Sequence, residues 1–321
     1  MVSHDLDLIG TNMWWMKQVQ GATILDKLLL FILKIVYLGL RVSLRVLLGR
    51  QKRNTFCTKR DILYFKDFLY KSIEFLRLVN FFLLKINVPT YNYKVYCRLN
   101  KEDFVILTKH EDEIIEHFSP KEGDIVIDVG AHIGRYTIIA SKRVGVYGKV
   151  IAIEAHPGNY DMLNRNIKLN GLTNVITLNY AVYSKESKIK LYVPDEEFGY
   201  TMHHSIMFNY LSSKYPLLGK ENEKFIEVNA STLDNLLQKN GLSREVNWIK
   251  IDVEGAEFEV LTGSIDILSK SKDISLLIEV HNVHAHHHRV IIELLSSYNF
   301  KVEFQKSYNS VEKHIILRKS V

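Results

Sequence analysis

The sequence predicts an α/β fold: a Rossmann-like, doubly wound and mostly parallel sheet, closed by a C-terminal antiparallel hairpin and preceded by an N-terminal helical extension. Three observations predict it. From about residue 91, short apolar runs alternate with segments of helical spacing, the pattern of a parallel sheet covered on both faces. One run, in "DIVIDVGAHIGRYTIIASK" (124–142), ends on an acid and passes through a glycine turn into a helix. The last two apolar runs are joined by a short polar turn, as in an edge hairpin.

Taken in order, "ILDKLLLFILKIVYLGLRVSLRVLLGR" (24–50) reads as a helix. Its Lys27, Lys34, Arg41 and Arg45 fall within an arc of about 40° at 100° per residue, and apolar side chains cover nearly all the rest. A second helix, 61–86, has polar residues around half its circumference and stops before Pro89. Residues 1–90 are thus expected to be a helical, basic extension and 91–321 a second domain. Within the latter we expect strands at 124–129, 149–155 and 174–182, with helices from about 134 and over 157–170. A polar insertion follows, then a helix at 232–239, a strand at 247–253, a helix at 256–270 and a strand at 274–281. A helix at 285–298 precedes strands near 300–306 and 311–318.

Composition narrows the function classes. With 321 residues, 47% of them hydrophobic, the chain can bury a large core. Cys57 and Cys97 are too few for a disulfide framework and lack metal-ligand spacing, which suggests a reducing, cytoplasmic setting. Residues 1–100 hold 16 Lys and Arg against 6 Asp and Glu, so the net charge of +6 is concentrated there. No uncharged run in 24–50 approaches the ~18 residues of a membrane span. The segment fits either a helix lying on an anionic membrane, peripherally at its inner face, or a helix packed on its own protein or a second subunit. Oligomeric state is not set by the sequence.

The turn at 128–134 carries the first chemistry. In a doubly wound sheet, ligands bind beyond the carboxyl ends of the strands, where Asp128, Gly130 and Gly134 are expected. His132 stands where a dinucleotide fingerprint requires its second glycine, so the ligand is expected to lack a diphosphate. S-adenosylmethionine suits the turn, and Glu154, ending the next strand 20 residues after Gly134, supplies an acid for its ribose hydroxyls. "WIKIDVEGAEFEVLTG" (248–263) adds Asp252 at the end of the fourth parallel strand, with Glu254 and Glu257 beside it as further site residues or helix-capping acids.

Together, "GDIVIDVGAHIGRYT", "VIAIEAHPGNYDMLNRNIKLNG", "VNASTLDNLL", "IKIDVEGAEFEVLTG" and "LLIEVH" resemble the FkbM-type methyltransferases over residues 105 to 281. The resemblance implies the class I methyltransferase form of the fold and an S-adenosylmethionine-dependent O-methyltransferase. It implies that Asp128, Gly130 and Gly134, with Ala131, His132 and Thr137 in the same turn and helix start, line the methionine side. Glu154 and Ala155 would serve the ribose and the strand end from Asn179 to Ala181 the adenine, while Asp252 could hold the cofactor's amino group instead of acting on the acceptor. Ala155-His156-Pro157 departs from the Glu-Pro found in many members.

Methyl transfer to an unactivated hydroxyl needs in-line positioning and a base. Asp252 and His281, ending neighbouring strands, and Glu254 are the catalytic candidates, although His281 could equally be a strand-end histidine bonded to backbone. A divalent metal at Asp252 is left open, but the sequence defines no metal site. In "HNVHAHHHR", His284 and His288 are four apart, yet no Cys or well-spaced acid completes a zinc set, and a solvated helix start is favoured. No Asn/Asp-Pro-Pro-aromatic turn exists for base amino methylation, and nucleic acid is not the expected partner without an aromatic-interleaved basic strand. The expected acceptor is a small-molecule or glycan hydroxyl, on a sugar or lipid-linked glycoside. RNA ribose methylation and a catalytically silent binding or scaffold protein are the alternatives. The insertion 184–224, with Tyr200, His203, His204, Phe208, Tyr210 and Tyr215, is expected to be an acceptor-binding lid.

Overall fold

The computed structural model describes residues 20–21, 83–98, 103, 111–193, 205, 224–242, 246–281, 287–307 and 312–319. The chain divides into two units, 1–109 and 110–321. The expected helix at 24–50, with its basic stripe, lies outside the described residues, as do Cys57 and the six aromatic and histidine residues singled out in the insertion.

In the first unit, β1 (Gln20–Gly21), β2 (Leu83–Val88) and β3 (Tyr93–Arg98) form an antiparallel sheet in the order β1-β2-β3. This corrects two expectations. The helix expected over 61–86 cannot extend past 82, and the hairpin of β2 and β3 runs across the domain boundary expected at 90. The local pattern explains both: Leu84, Ile86 and Val88 are buried while Leu83, Lys85 and Asn87 are half-buried, a period of two. Pro89 starts a short turn that ends at Asn92 in the left-handed region, φ 48°. Asp103 is fully buried and accepts from the Arg98 guanidinium at 2.7 and 2.9 Å.

The second unit holds a seven-stranded sheet in the order β12-β13-β11-β10-β4-β5-β6. These strands are β4 (Ile125–Val129), β5 (Lys149–Ile153), β6 (Val175–Leu178), β10 (Trp248–Ile251), β11 (Ile274–His281), β12 (Lys301–Ser307) and β13 (Glu312–Lys319). Only β13 runs against the rest: it inserts between β11 and β12, so the expected C-terminal hairpin forms and β12 is the edge. The helices among the described residues are α1 (Asp112–His117), α2 (Arg135–Val144), α3 (Pro157–Leu169), α4 (Leu233–Lys239), α5 (Glu257–Thr262), α6 (Ile265–Lys270) and α7 (His287–Ser297). One pleat side of the sheet, including Ile127, Ile151, Ile249 and Ile278, packs with Leu236, Val260, Ile291 and Leu295. Burying each such side chain contributes about 1.5–3 kcal/mol. The other pleat side carries Asp128 on β4, opposite Lys250 on β10.

Two expected elements are divided. The strand at 174–182 ends as β6, and Ala181–Val182 (β7) joins a second sheet, β7-β9-β8, with β8 (Ser187–Tyr192) and β9 (Phe225–Ser231). The expected polar insertion therefore contains β8 and leads into β9. The helix at 256–270 is interrupted at Gly263 and Ser264. There the Asp234 carboxylate accepts from the Asp266 and Ile267 N–H groups and starts α6 afresh.

Candidate active site

The strand order reverses between β4 and β10, and the turns following these strands meet there. Gly130, with φ 77°, sits so close to β10 that a Cβ would lie 1.8 Å from the Asp252 carbonyl oxygen. Glycine is thus required at 130 by the neighbouring backbone. The turn continues through His132 at φ 50° and Gly134 at φ 103° before α2 begins. Ala131 is buried against Leu163 and Ile167 of α3 and donates to the Ile153 carbonyl, so its side chain faces core.

Glu154 stands where the sequence placed it. It is 7% exposed, and its two carboxylate oxygens accept from the backbone N–H of His132 at 2.8 Å and of His156 at 2.9 Å. Burial outweighs these two hydrogen bonds and raises its carboxyl to about 7. Asn179 donates to the Glu154 and Ala155 carbonyls at 2.8 and 3.1 Å, binding the end of β6 to the end of β5. Ala181 is buried with Leu191, Val228 and Ala230, and Ala155 packs on the same cluster. Asn179 thus shapes the rim, whereas Ala181 belongs to the small sheet's core.

Asp128 lies beneath the turn. It is 1% exposed, and its Oδ2 accepts from the Thr137 hydroxyl at 2.6 Å. Lys250, absent from the sequence-predicted set, connects the assembly. Its buried Nζ donates to the Gly130 carbonyl at 3.0 Å and lies 3.5 Å from Asp128 Oδ1 and 3.3 Å from Asp252 Oδ2. Burial opposes its charge, but Asp252 and Asp128, with Glu111 and Glu279, outweigh burial and hold it protonated. One charged residue within the apolar run "WIKI" was the available signal.

Beyond β10, Glu254 (φ 52°) and Gly255 (φ 100°) make the turn into α5. Ser205, from the insertion between β8 and β9, donates its hydroxyl to the Glu254 carbonyl at 2.5 Å. Glu257 is fully buried and accepts at Oε1 from the Gly255 N–H at 2.9 Å. The same oxygen is 2.8 Å from His281 Nδ1, so Glu257 does more than cap a helix. His281 is 1% exposed, with Nε2 3.5 Å from Glu254 and 3.6 Å from Glu279. Burial works to discharge this imidazole, yet Glu254, Glu257 and Glu279 prevail and raise it well above its ordinary value. Held toward its charged form in this way, the ring is a hydrogen-bond donor, which favours a positioning role for His281 over that of a base. Burial likewise works against Asp252, but Lys250, His281 and His314 lower its carboxyl below the ordinary range. At 28% exposed, Asp252 is an ionised carboxylate that reaches solvent.

Sequence reasoning also missed Glu279 and His314. They are directly opposite across β11 and β13, with His314 Nε2 3.1 Å from Glu279 Oε2. Glu279 is two residues before His281, and that period was the available signal. His284 lies outside the described residues. His288 is half-buried on α7, and His287 donates from Nδ1 to the His281 carbonyl at 2.7 Å.

A turn with three positive φ values, a buried acid one strand away and ionised groups at the switch point together define a cofactor-binding α/β domain. Comparison with known sequences names the family: residues 128–302 match the Methyltransferase FkbM domain, and the chain belongs to it. The cofactor of that domain is S-adenosylmethionine. Methyltransferase sdnD of Sordaria araneosa is 31% identical over 155 residues, 43% of this chain and 59% of the relative. Hexuronic acid methyltransferase AglP of Haloferax volcanii is 26% identical over 165 residues, 50% of this chain and 57% of the relative. The chain thus spans less than two thirds of these relatives. A crystal structure of a SAM-dependent methyltransferase from Aquifex aeolicus is 16% identical with TM-score 0.40, covering 68% of this chain and 94% of that one.

The residues present fit the cofactor. Each Glu154 oxygen holds one backbone N–H and has a second lone pair for a ribose hydroxyl. Acidic groups at the strand ends suit a sulfonium. Among the described residues no helix is long and apolar enough to cross a membrane.

Proposed function

We propose that this chain is an S-adenosylmethionine-dependent O-methyltransferase acting on a hydroxyl of a sugar, glycan or lipid-linked glycoside. The observation that carries the reading is Asp252, an ionised and partly exposed carboxylate at the end of β10, beside the cofactor turn. The bound cofactor supplies an electrophilic methyl carbon. The protein's part is to hold the acceptor oxygen in line and to receive its proton. Asp252 accepts a hydrogen bond from the acceptor hydroxyl and takes the proton as the methyl carbon exchanges its bond to sulfur, whose electron pair stays on sulfur, for the new C–O bond. Lys250 fixes Asp252 from below, and protonated His281 keeps Glu254 and Glu279 in place at the rim. Glu154 orients the ribose of the adenosine. The Haloferax relative is named for a hexuronic acid, which favours a sugar acceptor.

The test is incubation of the protein with methyl-labelled S-adenosylmethionine and a membrane glycan or lipid extract. Label should enter a glycan or glycolipid fraction, and Asp252→Asn should lower turnover by roughly 10²-fold or more with cofactor affinity nearly unchanged. Label entering RNA instead would transfer the reading to ribose methylation. Absence of saturable cofactor binding by calorimetry would leave the silent scaffold.

A further inference from the structure

Three ligand-type side chains converge beside the strand ends: Asp252 after β10, and Glu279 and His281 on β11. Their ligating atoms all lie within 4.8 Å of one another. The backbone makes this convergence durable. β10 and β11 pair in parallel with Ile251 opposite Ile278, so the next position on each strand brings Asp252 beside Glu279. Glu279 and His281 then share one pleat side.

A second, independent feature is the support behind the imidazole. His281 Nδ1 is 2.8 Å from the fully buried Glu257 carboxylate, which is itself fixed by the Gly255 N–H. This is the carboxylate–imidazole arrangement that orients a metal-ligating histidine. Nε2 faces Glu254 and Glu279. Glu279 also belongs to a second convergent set, with Glu111 and His314. Carboxylates therefore surround two imidazoles and one ammonium, Lys250, whose Nζ contacts Asp252 on Oδ2.

We propose that Asp252, Glu279 and His281 bind a divalent cation, with Glu257 as the supporting carboxylate. One imidazole and two carboxylates form a mixed nitrogen and oxygen donor set, suited to Mn²⁺, Fe²⁺ or Zn²⁺ more than to Ca²⁺. Binding displaces the proton from His281 Nε2 to solvent. The site shares Asp252 with the place proposed for the acceptor hydroxyl, but cation binding itself does not depend on the methyl-transfer reading.

Titration of the full chain with Mn²⁺, followed by the electron paramagnetic resonance signal of free Mn²⁺, tests the proposal. One equivalent should bind. Glu279→Gln should weaken binding by 10-fold or more, while Glu293→Gln, at an exposed ion pair on α7, should leave it unchanged. Wild-type ring resonances of His281 should broaden at substoichiometric Mn²⁺, a readout that needs no variant. Calorimetry with S-adenosylmethionine alone reports cofactor binding separately, so loss of one reading is distinguishable from loss of the other. No binding at millimolar Mn²⁺, or equal binding by wild type and a folded Glu279→Gln, would overturn the site.

Discussion

Replacing Glu154 by Gln removes an ionisation that burial opposes. In the cofactor-free protein the carboxyl is raised from 4.5 to about 7, with burial the main cause and the His156 and His132 N–H groups acting against it. Between these values the folded chain keeps a proton on Glu154 that the unfolded chain has released. Wild-type stability from this group is therefore greatest below about pH 4.5, falls as pH rises, and levels off above about 7. At 1.36 kcal/mol per pH unit, a window of about two and a half units amounts to roughly 3 kcal/mol. Gln cannot ionise, so that decline is absent from the variant. Its amide accepts from only one of the two N–H groups and opposes the other, a cost of about 1–3 kcal/mol that does not vary with pH. Urea denaturation of both proteins without cofactor at pH 5, 6, 7 and 8 separates the two effects. The variant-minus-wild-type difference should move in the variant's favour by roughly 2.5 kcal/mol across the series, which begins half a unit inside the window. A difference that stays constant with pH would refute the placement of Glu154 as a buried, desolvated acid. At pH 8 the same variant should bind S-adenosylmethionine about 2–3 kcal/mol more weakly by calorimetry.

Lys250→Met should destabilise the protein by about 3–5 kcal/mol, because it leaves Asp128 buried without its cation; loss below 1 kcal/mol in urea would show that the lysine does not hold the turn. Gly130→Ala should cost at least about 2 kcal/mol and abolish cofactor binding, since the new Cβ meets the Asp252 carbonyl at a positive φ; wild-type melting temperature and affinity would contradict that approach. Glu257→Gln should lower the titration midpoint of His281, read by ring NMR, because one of the three carboxylates that raise it loses its charge; an unmoved midpoint would remove Glu257 from the set.

The sequence by itself determined the parallel core. Periods of 2 and 3.6 and the punctuation by Gly130, Gly134 and Pro157 are local properties, and Asp128, Glu154, Asp252 and His281 stand at or next to the strand ends to which spacing assigned them. Tertiary structure alone decided what those groups face. Glu279 and His314 are 35 residues apart in the chain and meet only because β13 inserts against β11 in one register. Lys250 reads locally as a flaw in an apolar strand and becomes a brace only when β4 brings Asp128 opposite it. The charge state of His281 was likewise beyond sequence, since burial and three carboxylates from β11 and the turn into α5 combine to set it. In the first unit, helical spacing counted onward from residue 61 hid the two-residue alternation of β2, whose partner strand is what satisfies its backbone. Side-chain period is fixed along the chain, whereas protonation and contact depend on neighbours that only the fold supplies.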